Sequence, residues 1–66
     1  MTFSEHLQEL RLGRGISQKA LAKELHIAPR AYQYYEHGER EPQLSTLVKL
    51  ADFYDLSLDE LVGRER

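Results

Sequence analysis

The sequence contains no cysteine and no tryptophan, a single methionine and two prolines in 66 residues. Without cysteine there are no disulfides, no thiolate nucleophile and no thiolate zinc site. His6, His26 and His37 lie in three separate segments, with no carboxylate at metal-ligand spacing beside them. They read as three solvent-facing side chains, and no metal is expected. Long apolar runs are missing, so no stretch reaches the length that spans a bilayer. The N-terminus also lacks the basic-then-apolar order of an export signal, and a cytoplasmic location is expected. Alternating β-branched runs are missing too, Val48 and Val62 being the only valines, so strands are not expected. No nucleophile–base pair, phosphate-binding loop or metal cluster can be assembled from the sequence, so neither enzymatic activity nor a cofactor is expected. A chain of this length reads as one domain, residues 1–66, marginal unless it is stapled, oligomerised or built from compactly packed helices.

Net charge is −2, which at first sight opposes a polyanionic partner. Its distribution is uneven. Residues 1–38 carry five basic and four acidic side chains, a net of +1, whereas 39–66 carry four basic and seven acidic ones, a net of −3. A nucleic-acid surface needs only local positive potential, and the first half can supply it.

Helix signals recur along the chain. Thr2 and Glu5 have the spacing of a capping box, and Phe3, Leu7 and Leu10 follow on one face up to Gly13-Arg14-Gly15. Ser17 suits an N-cap ahead of Leu21, Ala22 and Leu25. Pro29 suits the first position of a third helix, because its ring fixes φ and its missing N–H is not needed there. In that helix Tyr32 and Tyr35 face inward, and Gly38 ends it. Leu44, Leu47, Leu50, Ala51 and Tyr54 outline a fourth amphipathic helix. Ser57 and Glu60 repeat the capping-box spacing before Leu58, Leu61 and Val62, and Gly63 stops the helix. The expected architecture is all-α and compact, with five helices at about 2–13, 18–25, 29–37, 44–54 and 58–62. The charged tail Arg64-Glu65-Arg66 is expected to fray.

The segment Ser17 to Gly38 carries the function. Two short helices meet there at a turn of about three to four residues, the spacing of a helix-turn-helix. Ala22 is small where the helices would cross, and Ile27 is placed to plug the space between them. The surrounding order extends this pattern: the Gly15-Ile16-Ser17-Gln18 entry, the Glu36-His37-Gly38 exit, Pro42-x-Leu44-x-x-Leu47 and the terminal Ser57-Leu58-Asp59-Glu60-Leu61. From Phe3 to Gly63 the chain closely resembles the phage-repressor (Cro-type) helix-turn-helix family.

The resemblance implies a sequence-specific regulator, probing the major groove of double-stranded DNA with its third helix. The sense expected is repression, by a homodimer on a palindromic operator. It assigns base reading to Arg30, Gln33 and Tyr34. Arg30 ranks first, because a guanidinium can pair with the O6 and N7 edge of guanine. Gln18, Lys19, His37 and Arg40 become backbone contacts that position without specifying. Arg11 and Glu36 occupy positions that pair in the family and fix the recognition helix. Two departures stand out: His26 replaces a frequent glycine in the turn, and Pro29 replaces a frequent base-reading polar residue. Asp55 likewise replaces a common glycine. Phe53, Leu58 and Val62 exceed what so small a core needs and form the candidate dimer surface. The acidic second half fits an alternative, a protein-interaction module or antitoxin-like partner of the same fold.

Overall fold

The computed structural model describes residues 2–63, and the tail at 64–66 lies outside the described residues. Its helix starts follow side-chain chemistry. Thr2 caps α1 (Phe3–Arg14): its hydroxyl accepts from the Glu5 amide at 3.2 Å, and the Glu5 carboxylate accepts from the Thr2 amide at 2.8 Å. Ser17 caps α2 (Gln18–Glu24), accepting from the Ala20 amide at 3.1 Å. Pro29 opens α3 (Pro29–His37) behind an extended Ala28, which carries no side-chain cap. After α4 (Leu44–Tyr54), Ser57 and Glu60 form a second capping box at the head of α5 (Leu58–Val62). Backbone hydrogen bonds at Thr2 and Ser57 hold the Glu5 and Glu60 carboxyls below the usual range. Three boundaries differ from those expected. Thr2 stands outside α1, which runs on to Arg14, while Leu25 is the C-cap of α2 and not part of it.

Left-handed residues cap the ends of α1, α3, α4 and α5. Gly38, at φ 76°, closes α3 against the start of α1, where an added Cβ would stand 3.4 Å from Ser4 Oγ. Asp55 ends α4 with φ 56° and His26 turns the chain after α2 with φ 58°, both without glycine. Local steric strain at such sites is about 1–2 kcal/mol, which the packing on either side must offset.

Each helix contributes to one core: Leu7 from α1, Leu21 and Ala22 from α2, Tyr32 from α3, Leu50, Ala51 and Tyr54 from α4, and Leu61 from α5. Leu25 joins them from the turn, and Phe3, Leu10, Ile16, Ile27, Tyr35, Leu47, Phe53 and Leu56 pack around the edge. Burying each leucine contributes about 1.5–3 kcal/mol. The frame is α1 against α3 and α5, α2 against α3, and α4 against α5.

Two expectations fail here. Leu44, counted with the buried stripe of α4, is 67 % exposed. As the first residue of the helix its side chain tilts toward the N-terminus and beyond the core, and Pro42 is buried just ahead of it. His6 is not solvent-facing: it is half-buried, and its Nε2 is enclosed without a hydrogen-bond partner. Among the described residues no helix is long and apolar enough to cross a membrane. None of their His, Cys, Asp and Glu side chains form a group able to hold a metal ion.

Candidate nucleic-acid interface

The turn between α2 and α3 is built from Leu25 to Ala28. Its backbone folds back on α2: the His26 amide donates to Lys23 O at 3.2 Å and the Ile27 amide to Ala22 O at 3.0 Å. Ala22 is fully buried, so only a methyl group is enclosed there. From α4, Lys49 Nζ donates to Leu25 O at 3.2 Å, satisfying a carbonyl at the end of α2 from outside the motif.

The inner face of α3 is held by a polar cluster. Arg11 Nε donates to Glu36 Oε2 at 2.6 Å and Arg11 Nη2 to Oε1 at 3.3 Å, while Arg11 Nη1 donates to Ile16 O at 3.0 Å. Gln18 Nε2 adds a bond to Glu36 Oε1 at 3.0 Å. The two ionic side chains are 11 % and 2 % exposed, so the pair is removed from water. Burial alone raises the Glu36 carboxyl, but the hydrogen bonds from Arg11 and Gln18 outweigh it and hold the group below the usual range. The bond to Glu36 raises the Arg11 guanidinium in turn. One carboxylate thus ties the end of α3 to α1 and to the first residue of α2.

Two phenols border this cluster. Burial pushes both up, Tyr54 to about 12. The Tyr32 hydroxyl lies near enough to Glu36 to affect its ionisation, yet its geometry falls short of a hydrogen bond. The Tyr54 hydroxyl is buried with no hydrogen-bond partner.

The outer face of α3 differs. Arg30, Gln33 and His37 are exposed and recur at helical spacing, as a stripe separate from buried Tyr32 and Glu36. Tyr34 is half-buried, and the Arg40 guanidinium lies over its ring at 4.7 Å from the centroid. His37 Nδ1 stands 3.6 Å from Glu39 Oε1. Beside this face, Ser17, Lys19, Ala20, Lys23, Ile27 and Pro29 line a shallow groove that carries two ammonium groups. Proline at the head of α3 contributes no polar side chain, so hydrogen-bonding groups on α3 begin at Arg30.

The remaining candidates are divided. Leu58 is 40 % exposed, and Val62 is half-buried beside Phe3, Pro42 and Leu47. Phe53 meets Tyr54 edge-to-face at 5.0 Å, with Arg14 over its ring at 5.2 Å, so it is largely occupied as a cover for the core edge. Arg14 also donates to Phe53 O at 3.2 Å, tying the end of α1 to α4. Sequence reasoning missed these roles of Arg14 and Lys49, because nothing in their sequence neighbourhood points to distant carbonyls.

Comparison with known proteins agrees with this geometry. A family model described as helix-turn-helix matches residues 7–61. The chain is 44 % identical over 62 residues to the HTH-type transcriptional regulator AnsR of Bacillus subtilis, covering 94 % of this chain and 53 % of that one. It is 37 % identical to the cryptic phage CTXphi transcriptional repressor RstR of Vibrio cholerae, covering 92 % and 55 %. It is 34 % identical to the HTH-type transcriptional activator BcrR of Enterococcus faecalis, covering 98 % and 32 %. The chain therefore spans about a third to just over half of these relatives. A solved transcriptional regulator from Listeria innocua superposes with a TM-score of 0.91 at 35 % identity, covering 98 % of this chain and 61 % of that one. The five-helix frame, the turn after α2 and these likenesses agree: the chain belongs to the Cro-type helix-turn-helix family of DNA-binding transcriptional regulators.

Proposed function

We propose that this chain is one sequence-specific DNA-binding domain, residues 1–66, acting in the cytoplasm as a repressor. It enters the major groove of double-stranded DNA with α3. Arg30 and Gln33 read base edges, with Tyr34 bordering them. Gln18, Lys19, His37 and Arg40 contact the backbone. The observation that carries this reading is the division of α3: Glu36 is anchored by Arg11 and Gln18, while Arg30 and Gln33 stand free in solvent. A fixed helix with a free polar face is what base reading requires. Gln18 fits its double task because Nε2 keeps a second hydrogen after bonding Glu36.

One such domain spans only a few base pairs, so a homodimer on a palindrome supplies the affinity. Leu58 and Val62 offer its surface, extended on α4 by the exposed Leu44 and Val48. Selection of bound sites from a random duplex pool tests the proposal. Inverted half-sites about 10 base pairs apart are expected, with affinity falling steeply as salt rises. Undetectable binding to any duplex at low salt would refute it. The same exposed leucines on an acidic half favour a second reading, a protein-interaction module or antitoxin-like partner. That reading gains if duplex binding is absent.

A further inference from the structure

Arg40 is flanked in sequence by Glu39 and Glu41, all three exposed. A guanidinium between two carboxylates has an acidic neighbour on either side that could occupy the N–H edge it needs for a phosphate. Neither does so here. Among the described residues the ion pairs within 4.0 Å are Arg11 with Glu36 and His37 with Glu39, and Arg40 takes part in neither. Its guanidinium lies instead over the Tyr34 ring, 4.7 Å from the centroid, within the range of a cation–π contact. The backbone enforces this placement. The Glu39 amide donates to Tyr34 O at 3.0 Å and the Arg40 amide to the same oxygen at 3.4 Å, folding the chain after Gly38 back along α3.

We infer that Tyr34 is a positioning residue: its ring holds the Arg40 guanidinium away from Glu39 and Glu41, at the edge of α3, where it contacts a DNA phosphate. This rests on the DNA-binding reading above and changes the part expected of Tyr34. Its ring face serves Arg40, and its hydroxyl is dispensable. A cation stacked on an aromatic face keeps its N–H edge free for an anion.

Duplex binding by the intact chain tests this with Tyr34→Leu, Tyr34→Phe, Arg40→Gln and the double variant Tyr34→Leu/Arg40→Gln, using a site selected by the wild-type chain. Arg40→Gln should weaken binding and reduce the slope of log affinity against log salt by about one. Tyr34→Leu should weaken binding by about two- to fivefold, the range of an exposed cation–π contact. That loss should vanish in the Arg40→Gln background, and Tyr34→Phe should bind like wild type. Equal losses from Tyr34→Leu in both backgrounds would overturn the inference, as would a Tyr34→Phe variant as weak as Tyr34→Leu. In the free wild-type chain, nuclear magnetic resonance should show the Arg40 δ protons moved upfield by the ring. Unstructured values for those protons would overturn the inference even if Tyr34→Leu fails to fold. A wild-type chain that binds no duplex refutes the DNA reading itself, whereas additive losses in a chain that binds refute only the role of Tyr34.

Discussion

The two faces of α3 are built to opposite specifications. On the inner face Glu36 receives bonds from Arg11 and Gln18 and is almost fully enclosed. On the outer face Arg30 and Gln33 are exposed. A buried pair is costly to desolvate, and breaking it strands a charge, so the inner face permits only one arrangement. Outer groups stay hydrated, and in the proposed function they exchange that water for base edges. Tyr32 and Glu36, four apart on the helix, set its position, while Arg30, Gln33 and His37 remain exposed. Sensitivity to mutation should therefore split by face: stability on one side, binding on the other.

The largest effect should come from the inner face. Arg11→Ala leaves Glu36 buried without its cation, and a loss of about 3–5 kcal/mol in urea denaturation is expected, with little change in the ranking of DNA sites. Wild-type melting with altered site preference would reverse the division. Titration examines the same carboxylate. Glu36 is held below its ordinary value near 4.5, so the stability from its charged form is present above that pH. It is lost as the pH falls through the lower folded value. Glu36→Gln should flatten this acid slope without abolishing it, because Glu5 and Glu60 are shifted in the same direction. An acid slope identical to wild type would show that Glu36 does not carry it.

On the outer face, Arg30→Ala should remove about 1–3 kcal/mol of discrimination at one base position. Its unfolding free energy should stay within about 0.5 kcal/mol of wild type. Uniform weakening across all sites would make Arg30 a backbone contact and not a reader. The smallest change belongs to the turn. His26 sits at φ 58°, and His26→Gly should raise stability by about 1 kcal/mol, read as a higher urea midpoint. A loss of stability would mean that the histidine side chain holds the turn through its own contacts.

Helix starts were legible because caps act within three residues: Thr2 with Glu5, Ser17 with Ala20 and Ser57 with Glu60 are local chemistry. The left-handed His26 and Asp55 were legible through the family resemblance, as residues standing where relatives often carry glycine. Exposure at element ends was harder to read. Leu44 fits the apolar spacing of α4 yet projects past the core, because periodicity fixes a face and not a depth. His6 failed in the other direction: it is half-buried, with its Nε2 enclosed. The proposed readers Arg30 and Gln33 followed from the family pattern and their helical phase, but the engagement of Tyr34 by Arg40 depends on how the chain turns after Gly38.

The sequence by itself determined five helices, their caps and the polar side of α3, since these depend on interactions a few residues long. Beyond the Arg11–Glu36 pair, which the family resemblance implied, only the tertiary structure decided which charges are anchored and which are free. Arg11 reaches Glu36 across 25 residues, Arg14 reaches the Phe53 carbonyl across 39 and Lys49 reaches that of Leu25 across 24. Those partners meet because the packing of α1 on α3 and the closure of the core bring them together. A charge has no partner in sequence space, only in the folded chain.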